Sequence, residues 1–184
     1  MAAAPRRWAA ELVHFWFHTL RPADWFRTSP AIDDELRRRF GRDLAMLRKR
    51  PAREFLGDPL TAQAAVLLFD QVPRNIHRGS AQAFATDRLA RAVARGIVRR
   101  GWDRPLALAE RQFVAMPLMH SERIADQRRS VTYFATLGPR YGWPFARSHY
   151  RTIARFGRFP HRNGVLRRAS TPAERRAVAA GFAW

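Results

Sequence analysis

Aspartate, histidine, arginine and amide side chains recur in this sequence where a purely structural helix would carry apolar residues, and together such groups can hold an anion and move a proton. The stretch "LLFDQVPRN" closes an apolar run with Asp70, Gln71, Arg74 and Asn75. A carboxylate near a helix C-terminus opposes the macrodipole at a cost of about 0.3–1 kcal/mol, so Asp70 needs a cationic partner. Arg74 and Arg78 are nearest in sequence. The stretch "MPLMHSERIADQ" adds His120, Glu122 and Gln127. Helical spacing puts Gln127 on the stripe Ile124, Gln127, Val131, Phe134, which is expected to face inward. A buried amide or imidazole without a partner costs several kcal/mol at worst, roughly 2–7 on transfer scales, so these groups are expected to meet other polar groups.

A third stretch, "RFGRFPHRN" at residues 155–163, wraps Arg155, Arg158, His161, Arg162 and Asn163 around two phenylalanines, a glycine and a proline. In the helix before it, Phe145, His149, Ile153 and Phe156 share one face and Arg147, Arg151 and Arg155 the other. Arginines grip phosphate or carboxylate through paired hydrogen bonds, while an imidazole serves as acid or base and a carboxylate orients it. The candidate catalytic groups are therefore His149, His161, Glu122 and Asp70. The candidate ligand-binding groups are Gln71, Arg74, Asn75, His120, Gln127, Arg155, Arg158, Arg162 and Asn163, and the ligand class is a small anion. No metal or cofactor is expected. The chain has no cysteine, His14 and His18 at i, i+4 lack a third ligand, and nothing in the sequence brings His120, Glu122, His149 and His161 together, although imidazole and carboxylate suit zinc or iron. Glycine-rich phosphate loops, G-x-S-x-G and H-E-x-x-H are absent.

These residues need helices to position them, and strand signals are nearly absent. Trp8, Leu12, Phe15 and Thr19 predict a helix over 6–20. Ser29 as N-cap with Pro30 after it opens a second, with Leu36, Phe40, Leu44 and Leu47 inward and Gly41 as a point of breaking or bending. Asp58 and Pro59 open a third that is apolar on every side, as a central buried helix must be. Ser80 is expected to start a fourth, with Leu89, Val93 and Ile97 inward, Arg88, Arg91, Arg95 and Arg99 on the other side, and Gly101 as its stop. Further helices fit 105–118, 121–137 and 144–157, and Thr171, Pro172 and Glu174 form a capping box for the last. Seven or eight helices with short loops make one all-α domain over 1–184.

At 184 residues the chain can build one sizeable core, burying about 70% of the surface of its unfolded form. The 34 basic residues against 15 acidic ones give a net charge of +19, almost entirely arginine, with Lys49 the single lysine. No apolar run reaches the ~20 residues that span a bilayer, so no membrane partner is expected, and the absence of cysteine suits a cytoplasmic protein.

The blocks "FWF", "LLFDQVPRNIHRGSAQAFATDRLA", "MPLMHSERIADQRRS" and "RFGRFPHRNGVLRRASTPAE", in order from Leu12 to Glu174, resemble the bacterial domain-of-unknown-function family number 924. The resemblance implies a helical fold like the tetratricopeptide-repeat superfamily, without a defined activity. Its motif residues fall on Asp70, Gln71, Arg74, Asn75, Arg78 and Asp87, on His120, Ser121, Glu122, Asp126 and Gln127, and on His149, Arg155, Arg158, His161, Arg162 and Asn163. The tryptophan usual before the central helix is missing from "RPAREFLGDP", and Val72 stands where aromatic residues are usual. Two other functions remain open: a tetratricopeptide-like module for a protein partner, and nucleic-acid binding through the Arg88–Arg99 face, whose affinity would fall steeply with salt.

Overall fold

Residues 61–73 form an unbroken buried run, and the rest of the chain is arranged around them. The structure is a computed structural model and describes residues 7–181. Among these are eight helices and no strand. Helix α1 is Arg7–His14, continued by a π-helical turn at Phe15–Thr19. Helix α2 is Pro30–Leu47. Helix α3 covers 59–76 as Pro59–Val66, a π-helical turn at Leu67–Gln71 and Val72–Ile76. Then follow α4 at Asp87–Arg100, α5 at Leu108–Met119, α6 at Ile124–Leu137, α7 at Trp143–Phe156 and α8 at Pro172–Ala179.

Local chemistry explains most of these boundaries. Ser29 and Asp58 cap α2 and α3 by accepting from the amides of Ile32 and Thr61, and proline follows each where its missing N–H costs nothing. Gly101 and Gly157 end α4 and α7 in the left-handed region, at φ 68° in both cases. Thr171 and Glu174 close the expected capping box on α8. Helix α3 contacts α1, α2, α4 and α5, while α6 lies between α5 and α7. Leu12, Trp16, Leu36, Phe40, Phe55, Phe69, Phe113 and Phe134 form the shared core. Val72 is fully buried there.

Four local expectations are corrected. Gly41 does not break α2, which runs through it. Ser80 caps only a short 3-10 turn, Ala81–Phe84, and α4 starts at Asp87. Ile124 and Phe145 are exposed, at 37% and 57%, rather than inward. The buried face of α6 reads Asp126, Gln127, Ser130, Phe134 and Leu137, and that of α7 reads Ala146, His149, Thr152 and Ile153. Both inner faces are thus more polar than hydrophobic spacing alone indicated. Thr19 is exposed too, because the π turn in α1 shifts the register and brings Trp16 inward.

Candidate functional site

The π turn in α3 lies where the chain changes from core to chemistry. It carries one residue more than an α turn, and Asp70 and Gln71 are both buried within it. Two residues later Pro73 has no N–H to donate back along the helix. The Phe69 carbonyl accepts instead from the Thr86 hydroxyl, at 2.7 Å, which ties the start of α4 to this turn. Asp87, the next residue, takes both Nη groups of Arg74 at 2.8 and 3.0 Å. Arg74 also donates to the Asp70 carbonyl and lies 3.3 Å from its carboxylate. The cationic partner that Asp70 needs is therefore Arg74.

His120, just after α5, completes the arrangement. Its Nδ1 is 2.9 Å from both carboxylate oxygens of Asp70, and Gln71 donates to the same carboxylate. Burial opposes the charge on Asp70, but Arg74, His120 and the two hydrogen bonds outweigh it and hold the carboxyl down at about 2. An ionised Asp70 fixes the His120 proton on Nδ1. Burial, with Arg74 and Arg162 beside it, lowers the His120 pKa against the pull of Asp70, so the ring is neutral at pH 7. Its Nε2 takes no hydrogen-bond partner among the described residues and keeps a lone pair.

His120 forms part of the wall of a cavity of about 320 Å³. Gln71, Arg74, Asn75, Arg78, His149, His161 and Arg162 line it as well, together with Trp25, Phe26, Phe84, Met116 and Arg27. Three of these arginines face carboxylates: Asp87 is shared by Arg74 and Arg162, and Asp33 holds Arg78 through two contacts of 2.9 Å, while Asp70 stands behind His120. Arg162 is 6% exposed, donates to the His120 carbonyl at 3.1 Å and packs over the Phe84 and Phe159 rings. Its buried Nε–H finds no acceptor among the described residues. Burial and the nearby Arg74 push its pKa down to about 10, against Asp87 and Glu122. His149, which donates from Nδ1 to the Phe145 carbonyl at 2.8 Å, is lowered to about 3 chiefly by burial. His161 is lowered to about 4, again by burial and then by Arg162.

Of the candidate residues named from sequence, Asp70, Gln71, Arg74, Asn75, His120, His149, His161 and Arg162 therefore come together. Asp70 reaches the cavity only through His120, and the other five candidates do not line it. Glu122 accepts from the Phe159 amide and from both Nη groups of Arg168, pinning the turn after α7. Gln127 donates to the carbonyls of Met119 and Ser121 at 2.6 Å and closes the α5–α6 turn. Arg158 grips Glu174 of α8, Asn163 donates to Ser170, and Arg155 is exposed. His14 and His18 stack at 5.4 Å, and no cluster of three His, Asp or Glu able to hold a metal occurs among the described residues. Trp25, Phe26 and Phe84 were not singled out from sequence. The available signal was an aromatic pair in "PADWFRTSP", a loop between two helices that a core had no evident need to bury.

Other buried charge is structural. Asp126 is held by Arg95, Arg91 and Ser121, joining α4 to the start of α6. Two arginines of the Arg88–Arg99 face are thus committed inside the protein, leaving Arg88 and Arg99 exposed.

The fold and cavity define an all-helical domain with an arginine- and histidine-lined site beside a buried Asp–His pair. The chain matches, over residues 12–181, the family described as bacterial protein of unknown function (DUF924), and it belongs to that family. A solved structure of a protein of unknown function from Agrobacterium tumefaciens is similar: 39% identical, covering 94% of this chain and 97% of that one, with a TM-score of 0.88. A comparison with curated proteins finds no match. Among the described residues, no helix is long and apolar enough to cross a membrane.

Proposed function

We propose that this chain binds a small oxyanion in the cavity and that His120, backed by Asp70, exchanges a proton with it. The observation that carries this reading is that Asp70 occupies Nδ1 of His120 while Nε2 remains for a ligand in a cavity walled by arginines. Arg162 supports it independently, because its Nη2 takes no acceptor among the described residues and a largely buried cation gains from an oxygen acceptor more than it loses. The neutral imidazole is a base, and the carboxylate behind it stabilises the imidazolium that forms. A cytoplasmic site with metabolite-sized anions in solution suits such a cavity.

Thermal unfolding at fixed ionic strength, with and without inorganic phosphate, tests the binding. Phosphate at ~100 times its dissociation constant adds about 2.7 kcal/mol to stability. The shift is expected to vanish in Arg162→Gln and to persist, weakened, in His120→Asn. Calorimetry at pH 6 in buffers of different ionisation enthalpy should show proton uptake in the wild type and less of it in His120→Asn. A folded wild type that responds neither to phosphate nor to simple carboxylates overturns the reading.

An interaction module is the second reading, favoured by an open groove of about 810 Å³ between α4 and α6. Arg95, Arg99, Arg128 and Arg129 line it beside Val98, Leu118 and Tyr133, so the partner it fits is an acidic, partly apolar segment. Retention of such a peptide by His120→Asn, with loss in Arg99→Glu/Arg128→Glu, is the result expected of this reading.

A further inference from the structure

The cavity is lined by aromatic rings as well as by arginines and histidines, and it is larger than a bare anion requires. Its volume of about 320 Å³ falls at the lower end of small-molecule sites, roughly 300–1,000 Å³. Phe26 is part of that lining and is 62% exposed. Its ring is nevertheless held in place, stacked on Phe113 with ring centroids 6.0 Å apart and planes within 5° of parallel. Phe113 is itself fixed edge-on by Trp25 at 5.2 Å, and Trp25 donates its indole N–H to the Trp16 carbonyl. An exposed aromatic ring with a fixed plane at the mouth of a polar cavity is a platform for a planar group, as aromatic side chains are for nucleobases.

The arginines of the same lining offer more donors than a carboxylate can use. Arg162 has its Nη2 and Arg78 its Nη1 without acceptors among the described residues, two N–H groups on each, while the Nε of Arg162 is buried out of reach. Asn75 holds Arg78 in place by accepting from its Nη2 at 2.9 Å. Donors on two guanidinium planes, with the Nε2 of His120 in the same lining to take the proton of a phosphate monoanion, suit the three terminal oxygens of a phosphate better than the two of a carboxylate.

We propose that the occupant is an organic monophosphate that carries a planar ring, with the phosphate on Arg162, Arg78 and His120 and the ring on Phe26. This rests on the anion-binding reading above and adds the identity of the ligand. It needs no covalent step.

Titration calorimetry on the full chain at fixed ionic strength tests it with four probes: phenyl phosphate, adenosine 5′-monophosphate, glycerol 3-phosphate and benzoate. The two ring-bearing phosphates are expected to bind at least about tenfold more tightly than glycerol 3-phosphate, a difference of about 1.4 kcal/mol. Phe26→Ala, an exposed position, is expected to remove that preference and leave glycerol 3-phosphate binding unchanged. Phe26→Tyr is expected to retain it. Equal affinity for phenyl phosphate and glycerol 3-phosphate, or a preference that survives Phe26→Ala, overturns the ring assignment while the anion site stands. Benzoate binding as tightly as phenyl phosphate overturns the phosphate assignment. Binding of none of the four overturns this inference together with the anion reading.

Discussion

Asp70 connects the buried interior to the cavity, and its replacement separates charge from shape. Asparagine fills the same volume but cannot neutralise Arg74 or orient His120 through two acceptor oxygens. Removing one partner of a buried ionic cluster costs about 3–5 kcal/mol; Arg74 keeps Asp87 here, so Asp70→Asn is expected at the lower end of that range by urea unfolding. The same substitution should lower the His120 pKa further, since Asp70 is the group that raises it, and an NMR titration of the imidazole reads this directly. A His120 pKa unchanged in Asp70→Asn would sink the proposed pairing. The sequence revealed which residues need polar partners better than it revealed which partners they find. Glu122, Gln127, Arg158 and Asn163 are all engaged, but they fasten turns rather than line the cavity. Nothing in residue type or spacing separates a carboxylate that orients a base from one that pins a loop, because the difference lies in contacts such as Glu122 to Arg168, 46 positions away.

At the scale of elements, the sequence shows where helices lie more clearly than how they are rotated. Caps and breakers act over three or four residues, so Ser29, Asp58, Gly101, Gly157 and Thr171 could be read directly. Ile124 and Phe145 could not, because their exposure depends on which neighbouring helices cover the polar residues one or two positions away. Ser80 misled for a related reason: "SAQAFAT" looks like a helix start, yet the chain must reach Thr86 before its hydroxyl can satisfy the Phe69 carbonyl freed by Pro73. That bond joins α3 to α4 directly beneath Asp70. Thr86→Val keeps the side chain's shape and leaves a buried carbonyl unpaired, so a loss of about 1–3 kcal/mol is expected in urea. Such a loss with phosphate affinity also reduced would mark the bond as positioning the site, since Asp87 and Arg74 follow from it. Gly157→Ala tests the other wall. At φ 68° a Cβ is strained, and a cost of about 1 kcal/mol is expected by the same measurement.

For the molecule as a whole, the sign and distribution of charge decide how stability responds to acid. The net charge is +19 before any histidine is protonated, so each added proton is repelled by the rest of the chain. His149 titrates at about 3 and His161 at about 4 in the folded protein, against about 6.5 in an unfolded chain. Between those values the unfolded state binds more protons. Stability is therefore complete above about 6.5 and falls as pH drops toward 4 and then 3. Asp70, held at about 2, contributes stability that is lost only below about 4. The acid limb thus begins with imidazoles and continues with carboxylates. Urea unfolding from pH 7.5 to 4 should show a loss on the order of a few kcal/mol, reduced in His149→Gln, whereas an early limb unchanged by that substitution would assign it elsewhere. Phosphate supplies the complementary test. An anion bound among these rings raises their folded pKa values toward the unfolded one, so saturating phosphate should flatten the limb between pH 6.5 and 4. Chloride at equal ionic strength screens the +19 charge without entering the site, and should raise stability at every pH while leaving the slope in place.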